Sequence, residues 1–174
     1  IHWGHARSRD NVTWERLPIA VWPSVEKGED HCYSGCAVRD GNGELQLWYT
    51  SVSKPRAKDK GKGKLAWVFN GQVMLKPMDK DYIKWGKTTV DPVNAPTLPN
   101  KIDGYGWSAY IRDPACFNAG GRTFMLLGIT GKTAPIYEAA NKELTRWKYR
   151  GNMCDTAWDC PQMVPVGDKW IYVW

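Results

Sequence analysis

Asp79-Lys-Asp-Tyr-Ile-Lys-Trp85 decides the fold, because the chain writes it three times. The other versions are Ser8-Arg-Asp-Asn-Val-Thr-Trp14 and Asn141-Lys-Glu-Leu-Thr-Arg-Trp147. Each is a polar turn with an apolar residue shortly before a closing tryptophan. The tryptophans stand 71 and 62 residues apart. Self-similarity at such a spacing marks a repeat architecture. A second set sits at the opposite phase: Tyr33-Ser-Gly-Cys-Ala-Val38, Ile111-Arg-Asp-Pro-Ala-Cys-Phe117 and Trp158-Asp-Cys-Pro-Gln-Met-Val164. A glycine turn follows each of these: Asp40-Gly-Asn-Gly43, Ala119-Gly-Gly121 and Val166-Gly-Asp168. Such turns connect hairpins, since Gly and Asn supply positive φ. Short apolar runs come next, namely Leu45–Val52, Thr123–Ile129 and Lys169–Trp174. No stretch shows a long period of 3.6 residues.

The repeating unit is a polar-headed strand, a glycine turn, an apolar strand, a third strand, a polar turn and a Trp strand. Four strands per repeat of this length describe a propeller blade, and the fold expected is an all-β partial propeller. In this register the chain starts inside a third strand, at Ile1 to Ser8. It runs through two complete blades flanked by two half blades. The divisions fall at about residues 1–22, 23–90, 91–151 and 152–174. Propellers close so that no blade edge stays open. Two blades and two halves do not close a ring, so the reading expects a piece of a longer propeller, or one completed by another chain, with apolar blade faces left exposed.

Composition agrees with a folded domain. The 174 residues are 43% hydrophobic, which argues against disorder. No apolar run is long enough for a membrane-spanning helix. The chain opens at Ile1 without a leader, which says nothing about export. Net charge is +6, but Lys54, Arg56, Lys58, Lys60, Lys62 and Lys64 cluster in one Gly-broken stretch against Asp59 alone. A nucleic-acid binder spreads its basic residues over a docking face. This stretch reads as a solvated loop, with contact to an anionic polysaccharide or phosphate as the alternative. Five cysteines leave at least one thiol outside any intramolecular pair. His2, His5 and His31 complete no zinc pattern, and no metal is expected. Eleven tryptophans and eight tyrosines suit β-core packing first and sugar stacking second.

The strand heads carry the chemistry. The first strand of each blade lines a propeller's channel, so Ser34, Arg112-Asp113 and Asp159 are expected to converge on one funnel. Paired carboxylates are what glycoside cleavage needs: one protonates the leaving oxygen, the other attacks or stabilises the cationic carbon. Arg112 is expected to clamp Asp113 and hold it ionised. Asp159, between Trp158 and Cys160, is expected to be desolvated, which suits a general acid. A buried ion pair and a strand-end Asp are the structural alternatives. Two decoys drop out. Gly131-Lys132-Thr133 lacks the upstream glycine of a phosphate loop, where Leu126 stands. Ser34-Gly35 lacks the His and Asp of a serine hydrolase.

Four blocks in order resemble glycoside hydrolase family 32. They are His2-Trp-Gly-His5 running on to Ala20, Tyr33-Ser34-Gly35, Arg112-Asp113-Pro114 and Trp158-Asp159-Cys160-Pro161. The last resembles the family's Glu-Cys-Pro motif. The resemblance implies a five-bladed propeller and retaining cleavage of fructosyl linkages in sucrose, inulin or levan. It also implies no cofactor, no nucleic acid or membrane partner, and a secreted or periplasmic setting. It makes Asp113 the transition-state stabiliser and Asp159 the acid/base. It makes Trp3, Tyr33, Ser34, Arg112 and Cys160 substrate-binding. Two departures follow. The family's nucleophile belongs to a block upstream of His2-Trp-Gly-His5, and without it the 174 residues alone are expected to be inactive. The acid/base is normally Glu. Asp159 holds its carboxyl about 1.5 Å closer to the backbone, and an error of about 1 Å costs on the order of a hundredfold in rate. Asp155 is a candidate substitute acid. The alternatives are a noncatalytic carbohydrate-binding propeller and a related five-bladed glycosidase acting on another sugar.

Overall fold

The computed structural model describes residues 1–54, 68–88, 101–102, 106–107, 111–129, 133–154 and 159–174. The basic stretch beyond Lys54, the Gly131-Lys132 decoy, Asp155 and Trp158 lie outside these residues. The described elements are strands, apart from one 3-10 turn at Val25–Lys27. A first hairpin joins β1 (Ala6–Arg7) to β2 (Glu15–Arg16) and is extended by a Trp3–Val21 bridge. An antiparallel sheet of four sequential strands follows: β3 (His31–Arg39), β4 (Leu45–Ser53), β5 (Val68–Pro77) and β6 (Trp85–Lys87). A small ladder links β7 (Lys101–Ile102) and β8 (Gly106–Trp107). The second four-stranded sheet comprises β9 (Ile111–Ala119), β10 (Arg122–Ile129), β11 (Pro135–Ala139) and β12 (Trp147–Asn152). The hairpin of β13 (Gln162–Val166) and β14 (Lys169–Val173) ends the chain. Two full meanders flanked by two hairpins form the expected partial propeller.

Alternation along the strands explains why the sheets stack. In β4 every residue after Leu45 is buried. Leu47 and Tyr49 face a core completed by Val21, Trp3 and Ala20 of the first hairpin. Trp48, between them, faces the opposite core with Met125, Leu127, Tyr137, Leu144 and Trp147 of the second sheet. Strand β10 repeats the device: Leu126 turns away toward Ala115, Met163 and Tyr172. A strand buried on both faces reads as a continuous apolar run, as Leu45–Val52 and Thr123–Ile129 do. Trp48 and Trp147 meet edge to face at 5.8 Å and 86°, worth about 1 kcal/mol beyond the area they bury. Cys36 of β3 and Cys116 of β9 also meet between the sheets, where the Cys116 N–H donates to Cys36 Sγ at 3.2 Å. No disulfide joins any two of the five cysteines. The β13–β14 hairpin and the residue after it expose Val164, Val166, Trp170, Ile171, Val173 and Trp174.

The three repeated turns are the same turn. Asn11, Tyr82 and Leu144, each three residues before its tryptophan, adopt left-handed φ of 61°, 57° and 56°. Asp79 Oδ1 and Oδ2 accept from the N–H groups of Ile83 and Lys84, and Asn141 Oδ1 accepts from the corresponding Thr145 and Arg146. In the first repeat the equivalent Val12 and Thr13 amides go to Asp10 Oδ1. Carboxylate and amide side chains of this kind fix turns without glycine.

Both innermost strands bulge at their heads. In β3 the register with β4 slips between Cys32 and Gly35, leaving Tyr33 and Ser34 opposite Thr50. In β9 it slips between Arg112 and Ala115, leaving Asp113 and Pro114 opposite Leu127. Bulges re-aim side chains and gather beside functional sites. The β3 bulge depends on Gly35, where an added Cβ would stand 1.8 Å from the Trp48 carbonyl oxygen. Gly35→Ala is therefore expected to cost about 3 kcal/mol, the upper range for overpacking. Gly4→Ala, with open space around it, should change stability by less than about 0.5 kcal/mol. Urea unfolding of the two variants checks the difference, and equal stabilities would contradict it.

Candidate active site

The two bulges deliver their residues to one place. Arg112 reaches two carboxylates at once: its Nε lies 3.4 Å from Asp113 Oδ2, and its Nη2 donates to Asp159 Oδ1. The Cys160 N–H donates to Asp113 Oδ2 at 3.0 Å. The Cys160 thiol in turn contacts the Ser34 side chain and the Asp113 carboxyl. Ser34, Arg112, Asp113, Asp159 and Cys160, from β3, β9 and the segment before β13, thus form one cluster. Tyr33 stands beside it. Its ring packs edge-on to Phe69 at 6.1 Å, and Phe69 also lies under the Arg112 guanidinium at 5.3 Å. Trp3 joins from the first hairpin, its indole N–H donating to the Tyr33 carbonyl at 2.9 Å. A recess of about 280 Å³ opens between Ile1, Trp3, Cys32, Tyr33 and Ser34.

The local backbone is as specialised as the side chains. Asp113 has φ of 59° and Cys160 φ of 53°. Non-glycine residues pay about 1–3 kcal/mol for such angles and cluster at functional sites. Behind Asp113 lies a buried polar relay: its N–H donates to Thr50 Oγ1 at 2.8 Å, and Thr50 Oγ1 donates to Gln72 Oε1 at 2.8 Å.

Two electrostatic expectations are corrected. Asp113 is 5% exposed, and burial pushes its carboxyl above the usual range, with the Asp159 charge adding to the rise. The Cys160 N–H and Arg112 oppose the rise without reversing it. Arg112 does not grip Asp113 bidentately, because its second nitrogen is spent on Asp159, and the shared cation neutralises each carboxylate less fully. Asp159 is not desolvated. Its side chain is 49% exposed and paired with Arg112, because the Asp159-Cys160 turn faces outward while Asp113 lies inside the bulge. The Cys160 thiol is likewise pushed up, by burial first and by Asp113, while its Ser34 contact acts the other way.

Sequence reasoning missed Phe69, Thr50 and Gln72. Thr50 carried a signal: with Gln46, Ser51 and Ser53 it is one of the polar residues in a largely apolar, buried strand. Phe69 carried none, because it borders the basic stretch and no motif includes it. The bridging cation leads to a prediction. Removing it leaves two carboxylates facing each other, so Arg112→Gln should raise the Asp113 titration midpoint further. A carboxyl-carbon NMR titration reads the midpoint, and an unchanged value would show that Arg112 does not couple the pair.

Residues 1–174 match the family model for the glycosyl hydrolases family 32 N-terminal domain. The sucrose-6-phosphate hydrolase of Salmonella typhimurium is 28% identical over 183 residues, covering 98% of this chain and 35% of that protein. The fructan beta-fructosidase of Streptococcus mutans is 29% identical over 174 residues, covering 95% of this chain and 10% of that protein. The GH32 beta-fructofuranosidase of Bombyx mori superposes with a TM-score of 0.74 at 24% identity, covering 99% of this chain and 34% of that one. The chain thus spans about a third of the length of the first of these relatives, and a smaller share of the second.

Proposed function

The chain belongs to the glycosyl hydrolases family 32 N-terminal domain family, and from that premise we propose that it carries part of the active site of a retaining β-fructosidase. The substrate is a fructosyl linkage of the sucrose, inulin or levan type. The observation that carries this reading is the Arg112 bridge, which ties Asp113 and Asp159 into a single carboxylate pair. Relatives named as sucrose-6-phosphate hydrolase and fructan beta-fructosidase support the substrate class.

Asp113 is assigned to the fructosyl ring. Its contacts with Arg112 and Cys160 both fall on Oδ2, so Oδ1 is the oxygen assigned to sugar hydroxyls. A buried acceptor strengthens such hydrogen bonds as positive charge develops on the anomeric carbon. Asp159, half exposed at the edge of the cluster, is assigned to the leaving oxygen, whose departing group must reach solvent. Trp3, Tyr33, Ser34, Arg112 and Cys160 line the fructosyl subsite. The attacking carboxylate is assigned to a block outside these 174 residues, so the 174-residue polypeptide by itself is proposed to be inactive. The blade division at about residues 22, 90 and 151 goes with this reading. It is supported by the runs of β3–β6 over 31–87 and β9–β12 over 111–152.

A noncatalytic carbohydrate-binding role is the second reading. It is favoured by the Asp159–Arg112 ion pair, which stands where a desolvated proton donor was expected. Turnover of sucrose, inulin and levan by the intact protein separates the two. Hydrolysis is expected, with Asp113→Asn lowering kcat/KM by about a hundredfold or more and Asp159→Glu raising kcat. Sugar binding without turnover would favour the second reading, and full activity in Asp113→Asn would sink the first.

A further inference from the structure

Asp113 meets three demands that its own strand does not supply. Its φ of 59° is left-handed. Its amide lies in the bulge opposite Leu127, outside the β9–β10 register. It is buried, where an unmatched N–H costs about 1–3 kcal/mol. The neighbouring sheet answers all three. Thr50, fully buried on β4, accepts the Asp113 N–H at 2.8 Å. Gln72 on β5, 3% exposed, accepts the Thr50 hydroxyl at 2.8 Å. The Gln72 amide nitrogen then donates to the Ile111 carbonyl at 3.2 Å, back on β9.

The directions of these bonds are forced. Ile111 O can only accept, so the Gln72 NH₂ must face it. That turns Gln72 Oε1 toward Thr50, whose single hydroxyl proton must go there. The Thr50 oxygen is then left with its lone pairs toward the Asp113 amide, which can only donate. The relay closes a ring from Ile111 to Asp113, two residues apart on one strand, through two residues of the adjacent sheet.

We propose that Thr50 and Gln72 are positioning residues that hold the Asp113 backbone, and with it the carboxylate, in its working orientation. They touch neither Arg112 nor Asp159 through this relay and act only through Asp113. The proposal rests on the assignment of Asp113 to the fructosyl ring, and its test keeps the two apart.

The test compares Thr50→Val, which keeps the shape and loses the hydroxyl, with Thr50→Ser, which restores it, and with Gln72→Met. Two readouts are taken on the intact protein: kcat and KM on sucrose, and the Asp113 carboxyl titration by NMR. Thr50→Val is expected to lower kcat/KM by about ten- to a hundredfold, mostly through kcat, a usual cost of losing a supporting partner. It should also move the Asp113 midpoint, and Thr50→Ser should return both to within about threefold of the parent and to the parent midpoint. Gln72→Met should mimic Thr50→Val, and the double variant should be no worse than either alone. A lower Tm with unchanged kcat and an unchanged midpoint would overturn the proposal, because a purely structural role predicts that pattern. If the intact protein turns over no sugar, the midpoint still decides: a shift rescued by Ser supports positioning, and no shift overturns it. Should Thr50→Val not fold, Gln72→Met carries the same two outcomes.

Discussion

The structure depends on strands that are buried on both faces. Strand β4 sends Leu47 and Tyr49 into one core and Trp48 into another, so each sheet is glued to a neighbour on either side. A sheet with one wet face would need alternating polar residues; Leu45–Val52 does not have them, and only stacking satisfies it. Several of the polar side chains inside β4 are hydrogen-bonded. Gln46 bonds Asp40 and the Glu143 carbonyl, and Thr50 bonds Gln72. The Gln46 bond to Glu143 crosses from blade to blade and helps fix how the stacked sheets meet, which apolar contact alone leaves loose.

Stacking also brings the site together. Strands β3 and β9 each contribute one short bulge, and the two bulges face the same space. Tyr33 and Ser34 come from one, Arg112 and Asp113 from the next, with Asp159 and Cys160 arriving from the segment that leads into the third. A single guanidinium then spans the last two blades. Its reach makes the cluster a unit: a change at Asp159 is felt at Asp113 through Arg112, because the charge that stabilises one is withheld from the other. Burial decides the balance at Asp113, where loss of water outweighs half a cation.

The fold was legible because the repeat is periodic in residues that act locally. Trp14, Trp85 and Trp147 close the same turn, and glycine turns open the hairpins at the opposite phase. Convergence of Ser34, Asp113 and Asp159 followed from that register. The electrostatics did not, because Arg112 and Asp159 are 47 residues apart in sequence and no neighbour of either reveals the pairing. Flanking residues predicted a clamped Asp113 and a desolvated Asp159. The real environments are set by which carboxylate lies inside its bulge. Phe69 escaped notice for the same reason: its partners, Tyr33 and Arg112, are distant in sequence.

The three Trp turns show what a self-sufficient bend permits. Side-chain oxygens of Asp10, Asp79 and Asn141 secure the backbone, and the left-handed residue three places before each tryptophan helps through its main-chain N–H, which goes to Ser8 Oγ, the Asp79 carbonyl and the Asn141 carbonyl in turn. Its side chain is released for other duties. Asn11 is exposed, Tyr82 packs against Trp85 with its ring tilted, and Leu144, 1% exposed, plugs the seam between two blades. One conserved shape thereby accommodates an amide, an aromatic ring and an aliphatic wedge. Successive blades drift apart in surface chemistry at these corners while keeping a common skeleton.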